Sequence, residues 1–488
     1  MTLLTVASKV AAFGRDVVLS SVYGAGPDTD AFFIANAIPG VLWAAFWTTI
    51  GMVFMPLYTA ERRRSVVGSS RFANNAVLVY AGLSLTLTIV CLVFARAIVA
   101  ITAADLPEYV AVTATHLTMI MSVGFFFTGY VSIQNAIQQS RGQLLPPLVG
   151  PLFNNLLSIV GVFVSLLFGG IYTVVAFAVL GWVAQAPLQR LLTRRFYRPN
   201  LPNPFSDALT RKLLYLSVPV FFGVFLDQIN AYIGIYLSSG FGEGSISHLN
   251  YANRLTAFMA GLFSMLVAYL IFPRLAEAAS RDEDEKVTTV MAGGLGMILA
   301  ATAPMVVLSL GLSREIVDIV FGRGKFLESD VTAAAAIFQF YVYGILFVAV
   351  REIFNRLLFS FHKTSIPLYI GVLAAIVNVV VSVVLTRFMG PPGIAAGAAA
   401  GAIFYVVCQL GYTLAWKRTL LGKDVLRWLA VVGLASAAMA AALIVVVPEI
   451  GSNSSIARVL IAGAVTGAVY ALVLFGAARF IRPIWIVA

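Results

Sequence analysis

Charge is what this chain has least of. Charged residues fill 11% of its 488 positions, and hydrophobic residues fill 60%. A soluble domain carries roughly 25% charged residues. So much apolar side chain exceeds what a water-soluble core can hide, and lipid must solvate much of it. Cysteine is nearly absent. Cys91 and Cys408 lie in separate apolar runs, which excludes a disulfide framework or a cysteine metal centre. The three histidines, His116, His248 and His362, have no ligand-spaced neighbours. No nucleophile–base pair and no nucleotide-type glycine loop occurs, so neither an enzyme nor direct ATP coupling is expected. No cleavable signal peptide is expected either, because Lys9, Arg15 and Asp16 interrupt the first apolar segment.

Long apolar runs are what the chain does have. A membrane-spanning helix needs about 20 mainly apolar residues. That rule predicts fourteen helices, near residues 3–23, 30–58, 75–101, 111–138, 145–168, 171–193, 213–238, 247–273, 288–311, 331–361, 364–387, 392–416, 426–447 and 455–478. The net charge of +11 fits this topology without a nucleic-acid partner. Alternate loops hold most of the basic residues, including Arg62–Arg64, Arg194, Arg195 and Lys417–Arg418. The opposite loops hold only Arg314, Arg323, Lys325, Arg387 and Arg458. By the positive-inside rule both termini are cytoplasmic. The loop motif FGRGKF, Phe321 to Phe326, then lies outside and reads as a turn.

The two halves repeat. Ala35-Asn36 and Pro56 match Ala252-Asn253 and Pro273 at an offset of 217. Ile133, Asn135, Ser140 and Pro147-Leu148 match Ile353, Asn355, Ser360 and Pro367-Leu368 at an offset of 220. Six helices return the chain to its starting side, so the repeats are parallel. The polar stretch from Arg194 to Lys212, with Pro199, Pro202 and Pro204, is the natural joint. The expected fold is an all-α polytopic membrane protein of about fourteen transmembrane helices, in two six-helix lobes plus a C-terminal helix pair. Its domains would be residues 1–200, 201–423 and 424–488.

Charges inside the predicted helices are the functional signal. A charge near the bilayer centre costs at least about 2.5 kcal/mol, so such residues face a bundle interior or a water-filled cavity. Lys9, Arg15, Arg96, Arg254, Arg351 and Arg356 are the basic ones; Asp16, Asp227 and Glu352 are the acidic ones. Arg96 is near a helix end and can snorkel. Glu352 and Arg356 are four apart and can pair. Arg15 and Asp16 are adjacent and project in different directions, so no simple neutralisation is expected. Lys9, Arg15 and Arg254, with the polar Gln228 and Asn230 beside Asp227, describe a cationic cavity suited to an anion such as a pyrophosphate. Pro39-Gly40 is a candidate break in the second helix and Pro146, Pro147 and Pro151 a candidate bend in the fifth.

The segment FGRDVVLSSVYGAGPDTDAFFIANAIP, Phe13 to Pro39, resembles the opening of the MurJ-type lipid II flippases, within the multidrug/oligosaccharidyl-lipid/polysaccharide flippase superfamily. LNYANRL (Leu249–Leu255), FGRGKF and the stretch ending KTSIP (Lys363–Pro367) extend the similarity. The resemblance implies a flippase of a polyprenyl-pyrophosphate-linked glycan, working by alternating access in the bacterial cytoplasmic membrane. It implies that Arg15, Arg254 and Lys9 meet the substrate. It also implies that Asp30 marks the outer end of the first helix pair, and that the last two helices hold the lipid tail. In IPGVLWAAFWTTIG (Ile38–Gly51) Trp43 and Ala44 stand where family members have a basic pair, and Asn253 stands where Asp is usual. A lipid-linked exopolysaccharide or O-antigen unit therefore stays beside lipid II as substrate, and an ion-coupled drug exporter is the alternative of another class. The expected cofactor is none, with coupling to membrane potential or an ion gradient. The expected partners are the undecaprenyl-linked glycan, the bilayer and cell-envelope synthesis proteins, and the chain is expected to be a monomer.

Overall fold

The computed structural model describes residues 2–143, 145–194, 207–281, 283–417, 423–450 and 454–478. The proline-rich joint predicted between the halves lies mostly outside them. The described residues form eighteen α-helices and two π-helical turns, with no strand among them. Fourteen of the α-helices have 21 residues or more, and each coincides with one predicted span.

The repeat is visible in how the helices are interrupted. In the first half α1 (Thr2–Tyr23) is followed by α2 (Pro27–Thr49), a π turn (Ile50–Phe54) and the short α3 (Met55–Arg64). In the second, α9 (Ala208–Ser239) is followed by α10 (Ser245–Leu266), a π turn (Val267–Ile271) and α11 (Phe272–Ser280). The two π turns are 217 positions apart, the offset of Pro56 and Pro273. Each proline lacks an N–H for its helix. The wider turn just before it reroutes the ladder, with Met55 N–H donating to the carbonyl of Ile50. Pro39-Gly40 is a candidate break in the sequence, but α2 runs through both residues and the irregularity sits at Ile50–Phe54. Pro151 lies inside its helix, as expected.

Each half continues with a helix that breaks once. α4 (Val66–Val93) gives way at Phe94 to α5 (Ala95–Thr102), and α12 (Asp284–Gly311) gives way at Leu312 to α13 (Ser313–Phe321). Then come α6 (Glu108–Gln139), α7 (Leu145–Ser165) and α8 (Gly170–Thr193), matched by α14 (Glu328–Ser360), α15 (Ser365–Met389) and α16 (Pro392–Trp416). α17 (Lys423–Glu449) and α18 (Ser455–Ala478) follow and have no counterpart in the first half.

Contacts divide the chain into two compact units, Met1–Ser247 with Gly324–Phe326, and His248–Arg323 with Leu327–Ala488. In the first, Phe46 meets Tyr80 and Phe125 edge-on, with ring centroids 5.4 and 5.3 Å apart, and Phe54 stacks on Phe72 at 5.3 Å. α9, which opens the second repeat in sequence, packs in this unit against α2, α4 and α5. In the second, Phe263, Ile271, Leu295, Ile298 and Phe354 share a buried core. α17 and α18 attach to α12 there. Trp428 Nε1 donates to the Gly296 carbonyl at 3.4 Å, and Tyr470 donates to the Ala300 carbonyl at 3.0 Å.

Ten helices are long and apolar enough to cross a membrane among the described residues. The four long helices outside that set are α1, α2, α9 and α10. They carry Lys9, Arg15, Asp16, Asp30, Asp227, Gln228, Asn230, Asn253 and Arg254, most of the residues singled out above as a site.

Candidate substrate-binding residues

α1 carries three charged residues, Lys9, Arg15 and Asp16. Lys9 is exposed. One and a half turns on, Arg15 folds onto Asp16: its Nε and Nη2 both donate to Asp16 Oδ1, at 3.1 and 2.8 Å. The sequence argument expected no such pairing. Neighbouring Cα–Cβ bonds do diverge by about 100°, but the long arginine arm wraps around the helix and brings its head back. The arginine also reaches across to α7, where Nη1 donates to Asn155 Oδ1 at 3.3 Å. Asp16 is buried while Arg15 keeps 22% of its side chain accessible. The result is a cation anchored on one side by a buried carboxylate, with donors left for a second anion. Asn155 was not foreseen; its only sequence signal is an amide in an apolar run.

The C-terminal end of α1 is fastened by both side chain and backbone. Tyr23 donates to Ser165 on α7 at 2.7 Å. Lys325 N–H donates to the Ser21 carbonyl at 2.8 Å. Gly24 and Gly324 have φ of +70° and +67°. A Cβ on Gly24 would come within 2.4 Å of the Lys325 carbonyl oxygen, and one on Gly324 within 2.0 Å of the Ser21 oxygen. Two motifs, at Phe13–Pro39 and Phe321–Phe326, are thus glycine-bearing halves of one close backbone contact.

Asp30 is fully engaged. Its Oδ2 accepts from Gly244 N at 2.6 Å; its Oδ1 accepts from Ser247 N at 2.7 Å and from the Ser247 hydroxyl at 2.6 Å. Thr29 accepts from the same hydroxyl at 2.8 Å. The carboxylate therefore caps the first turn of α10, where the helix dipole favours negative charge. Its geometry fits a carboxylate that caps the start of α10. On α10, Asn253 is exposed and Arg254 is partly buried. Tyr251 is buried with its ring centroid 5.1 Å from that of Phe321, which joins the other two motifs in the second unit.

Gln228 is partly buried on α9. The side chains of Asp227, Asn230 and Trp43 lie outside the described residues. Arg351 and Arg356 flank Glu352, each 3.9 Å from it, so the expected Glu352–Arg356 pair is present. Their guanidiniums lie over rings: Arg351 is 5.2 Å from the centroid of Tyr405, and Arg356 is 5.1 Å from that of Phe272. These two arginines are held on the C-terminal part of α14 by contacts within the second unit. Arg96 is exposed and pairs with Glu108 at 2.9 Å.

Sequence reasoning missed the polar partners of Asn355. Gln409 donates to Asn355 Oδ1 at 2.6 Å, and the Tyr405 hydroxyl bridges Asn355 Oδ1 and the Pro367 carbonyl at 3.1 and 3.0 Å. The 220 offset could have found them, because it also pairs Gln189 with Gln409 and Gln185 with Tyr405. No group of His, Cys, Asp and Glu that could hold a metal occurs among the described residues.

The family model of the lipid II flippase MurJ matches residues 19–475. A probable lipid II flippase MurJ of Thermotoga maritima is 27% identical over 421 residues, 84% of this chain and 83% of that protein. The one from Buchnera aphidicola subsp. Acyrthosiphon pisum is 25% identical over 404 residues, 81% and 79% of the two chains. Among solved structures, a lipid II flippase MurJ in an inward closed conformation superposes with a TM-score of 0.86 at 22% identity, covering 99% of each chain. An inward-facing multidrug resistance transporter of the MATE family follows the same fold less closely, with a TM-score of 0.69 at 14% identity over 85% of this chain and 94% of that one. This multi-pass helical membrane chain belongs to the lipid II flippase MurJ family.

Proposed function

We propose that the chain moves lipid II, a polyprenyl-pyrophosphate-linked glycan, from the inner to the outer leaflet of the bacterial cytoplasmic membrane. The observation that carries this reading is the family match over residues 19–475. The chemistry of α1 supports it. Arg15, with Asp16 and Asn155 holding one side of its guanidinium, offers its remaining donors to a phosphate in a bidentate manner that lysine cannot copy. Lys9 and Arg254 add positive charge for the diphosphate. Asp30 acts by setting the start of α10. The paired π turns after α2 and α10 give each half a segment of altered pitch, a feature frequent at functional sites. In this reading the inside loops carry the basic residues, both termini are cytoplasmic, and the membrane potential acts on the cavity charges at about 2.3 kcal/mol per charge per 100 mV.

Conditional depletion tests the substrate. If lipid II is the cargo, peptidoglycan synthesis stops and lipid-linked precursor accumulates. Arrest of extracellular polysaccharide alone, with peptidoglycan intact, would assign the chain to another lipid-linked glycan and overturn the reading. A drug-sensitivity panel unchanged by depletion is expected in parallel.

A further inference from the structure

At the end of α14 and α16, two lysines and three aromatic rings form a cluster outside the residues named above for the substrate. Lys363 Nζ is 4.3 Å from the centroid of Trp416, and donates to the Tyr412 hydroxyl at 3.1 Å. Lys417 Nζ is 4.3 Å from the centroid of Phe361 and 5.2 Å from that of Trp416. Phe361 and Trp416 pack edge-to-face at 5.0 Å. Lys417 pairs with Asp284, whose side chain is 65% exposed; no carboxylate among the described residues pairs with Lys363. Two ammonium groups thus share one indole, with a single exposed carboxylate as counter-charge.

The backbone holds Lys363 in place at a cost. α14 ends in a Schellman turn, with Lys363 N–H donating to the Leu358 carbonyl at 2.8 Å and His362 N–H to that of Phe359 at 3.0 Å. His362 has φ +58°, the only left-handed non-glycine among the described residues. The matching turn after α6 has Gly142 at φ +74° in that place.

The surroundings say what the cluster faces. α15 starts two residues after Lys363, and its residues are the least buried of the ten membrane-crossing helices. Leu368 and Tyr369 in its first turns and Phe359 at the end of α14 are exposed. Tryptophan and tyrosine gather where a bilayer meets water, and basic pockets at helix ends there take anionic headgroups. We propose that Lys363 and Lys417, framed by Trp416 and Tyr412, bind the phosphate of an anionic phospholipid headgroup. The lipid belongs to the leaflet on that side, cytoplasmic by the loop charges, and its acyl chains run along α15.

The test uses the full-length protein in neutral detergent, titrated with phosphatidylglycerol, phosphatidylcholine or inorganic phosphate and read by native mass spectrometry. Phosphatidylglycerol should be retained, and the other two should not. Lys363→Gln with Lys417→Gln should cut its occupancy about tenfold, since each surface lysine contributes roughly a fivefold factor or less. Lys363→Arg with Lys417→Arg should keep it. Asp284→Asn should raise it by removing the competing carboxylate, an arm that does not depend on weakening the fold. Unchanged occupancy in the double glutamine variant or in Asp284→Asn would overturn the proposal. Equal competition by inorganic phosphate would make this a free-anion site instead. Substrate translocation is not measured, so the result stands apart from the proposed function.

Discussion

Arg15 shows what one residue in a membrane helix must satisfy. A guanidinium there needs a counter-charge and yet must keep donors for its ligand. The structure meets the first need with Asp16 and Asn155 and leaves part of the head accessible. Arg15→Lys retains the charge but loses the fork, so translocation should fall at least about tenfold, the loss of one charge-assisted hydrogen bond. Asp16→Asn should leave the protein folded but lower translocation by removing the anchor. A lipid II flipping assay on both variants checks this; wild-type rates in Arg15→Lys would contradict it. Gly24 and Gly324 make a second case. Alanine at either adds a left-handed strain of about 1–2 kcal/mol to a direct backbone clash, and the melting temperature of the purified protein should drop. The charges themselves were legible in the sequence, since any Lys, Arg or Asp in a span stands out. Their partners were not. Asn155 and Ser247 are ordinary polar residues until the fold brings them to Arg15 and Asp30.

Helix ends carry their own predictions. Asp207 caps α9. Burial pushes its carboxyl up, but hydrogen bonds from Thr210, Asn75 and the backbone N–H groups of Leu209 and Thr210 outweigh that and hold it below the ordinary carboxylate range. A depressed carboxylate stabilises the folded form above its unfolded pKa, and that contribution is lost as pH falls through the lower folded value. Wild-type stability should therefore decline below about pH 4 by an amount absent in Asp207→Asn, seen in parallel thermal melts across pH. Asp207→Ala should cost about 1 kcal/mol at neutral pH. At the opposite kind of terminus, His362→Gly should stabilise α14's end by about 1 kcal/mol, because glycine accepts the left-handed position that His362 now strains into. A lower melting temperature in that variant would contradict the assignment. Helix existence was largely readable from apolar length, and a long helix lies at each of the fourteen predicted positions, ten of them apolar enough to cross a membrane. The π turns were not readable, because a proline marks an interrupted ladder without saying how the backbone reroutes it. Pro39-Gly40 and Pro56 look alike in sequence, yet the π turn precedes Pro56 and α2 runs through the other pair.

Across the whole molecule the duplication explains the parts list. Each half has a π turn, a broken helix and three long helices at offsets of 217 to 220, while α17 and α18 stand outside the repeat and attach to α12. The offset was legible from a few residues such as Pro56 and Pro273. The packing of α9 in the first unit was not, because apolar surface in lipid carries no address for its partner. The residues proposed to meet the substrate are departures from apolarity, and they give the central claim its most direct test. In cells depleted of the native protein, the share of lipid II accessible on the outer leaflet should be restored by the wild-type chain and stay low with Arg15→Ala plus Arg254→Ala expressed at equal level. Outer-leaflet lipid II at wild-type levels with that double variant, or with no protein at all, would contradict the account.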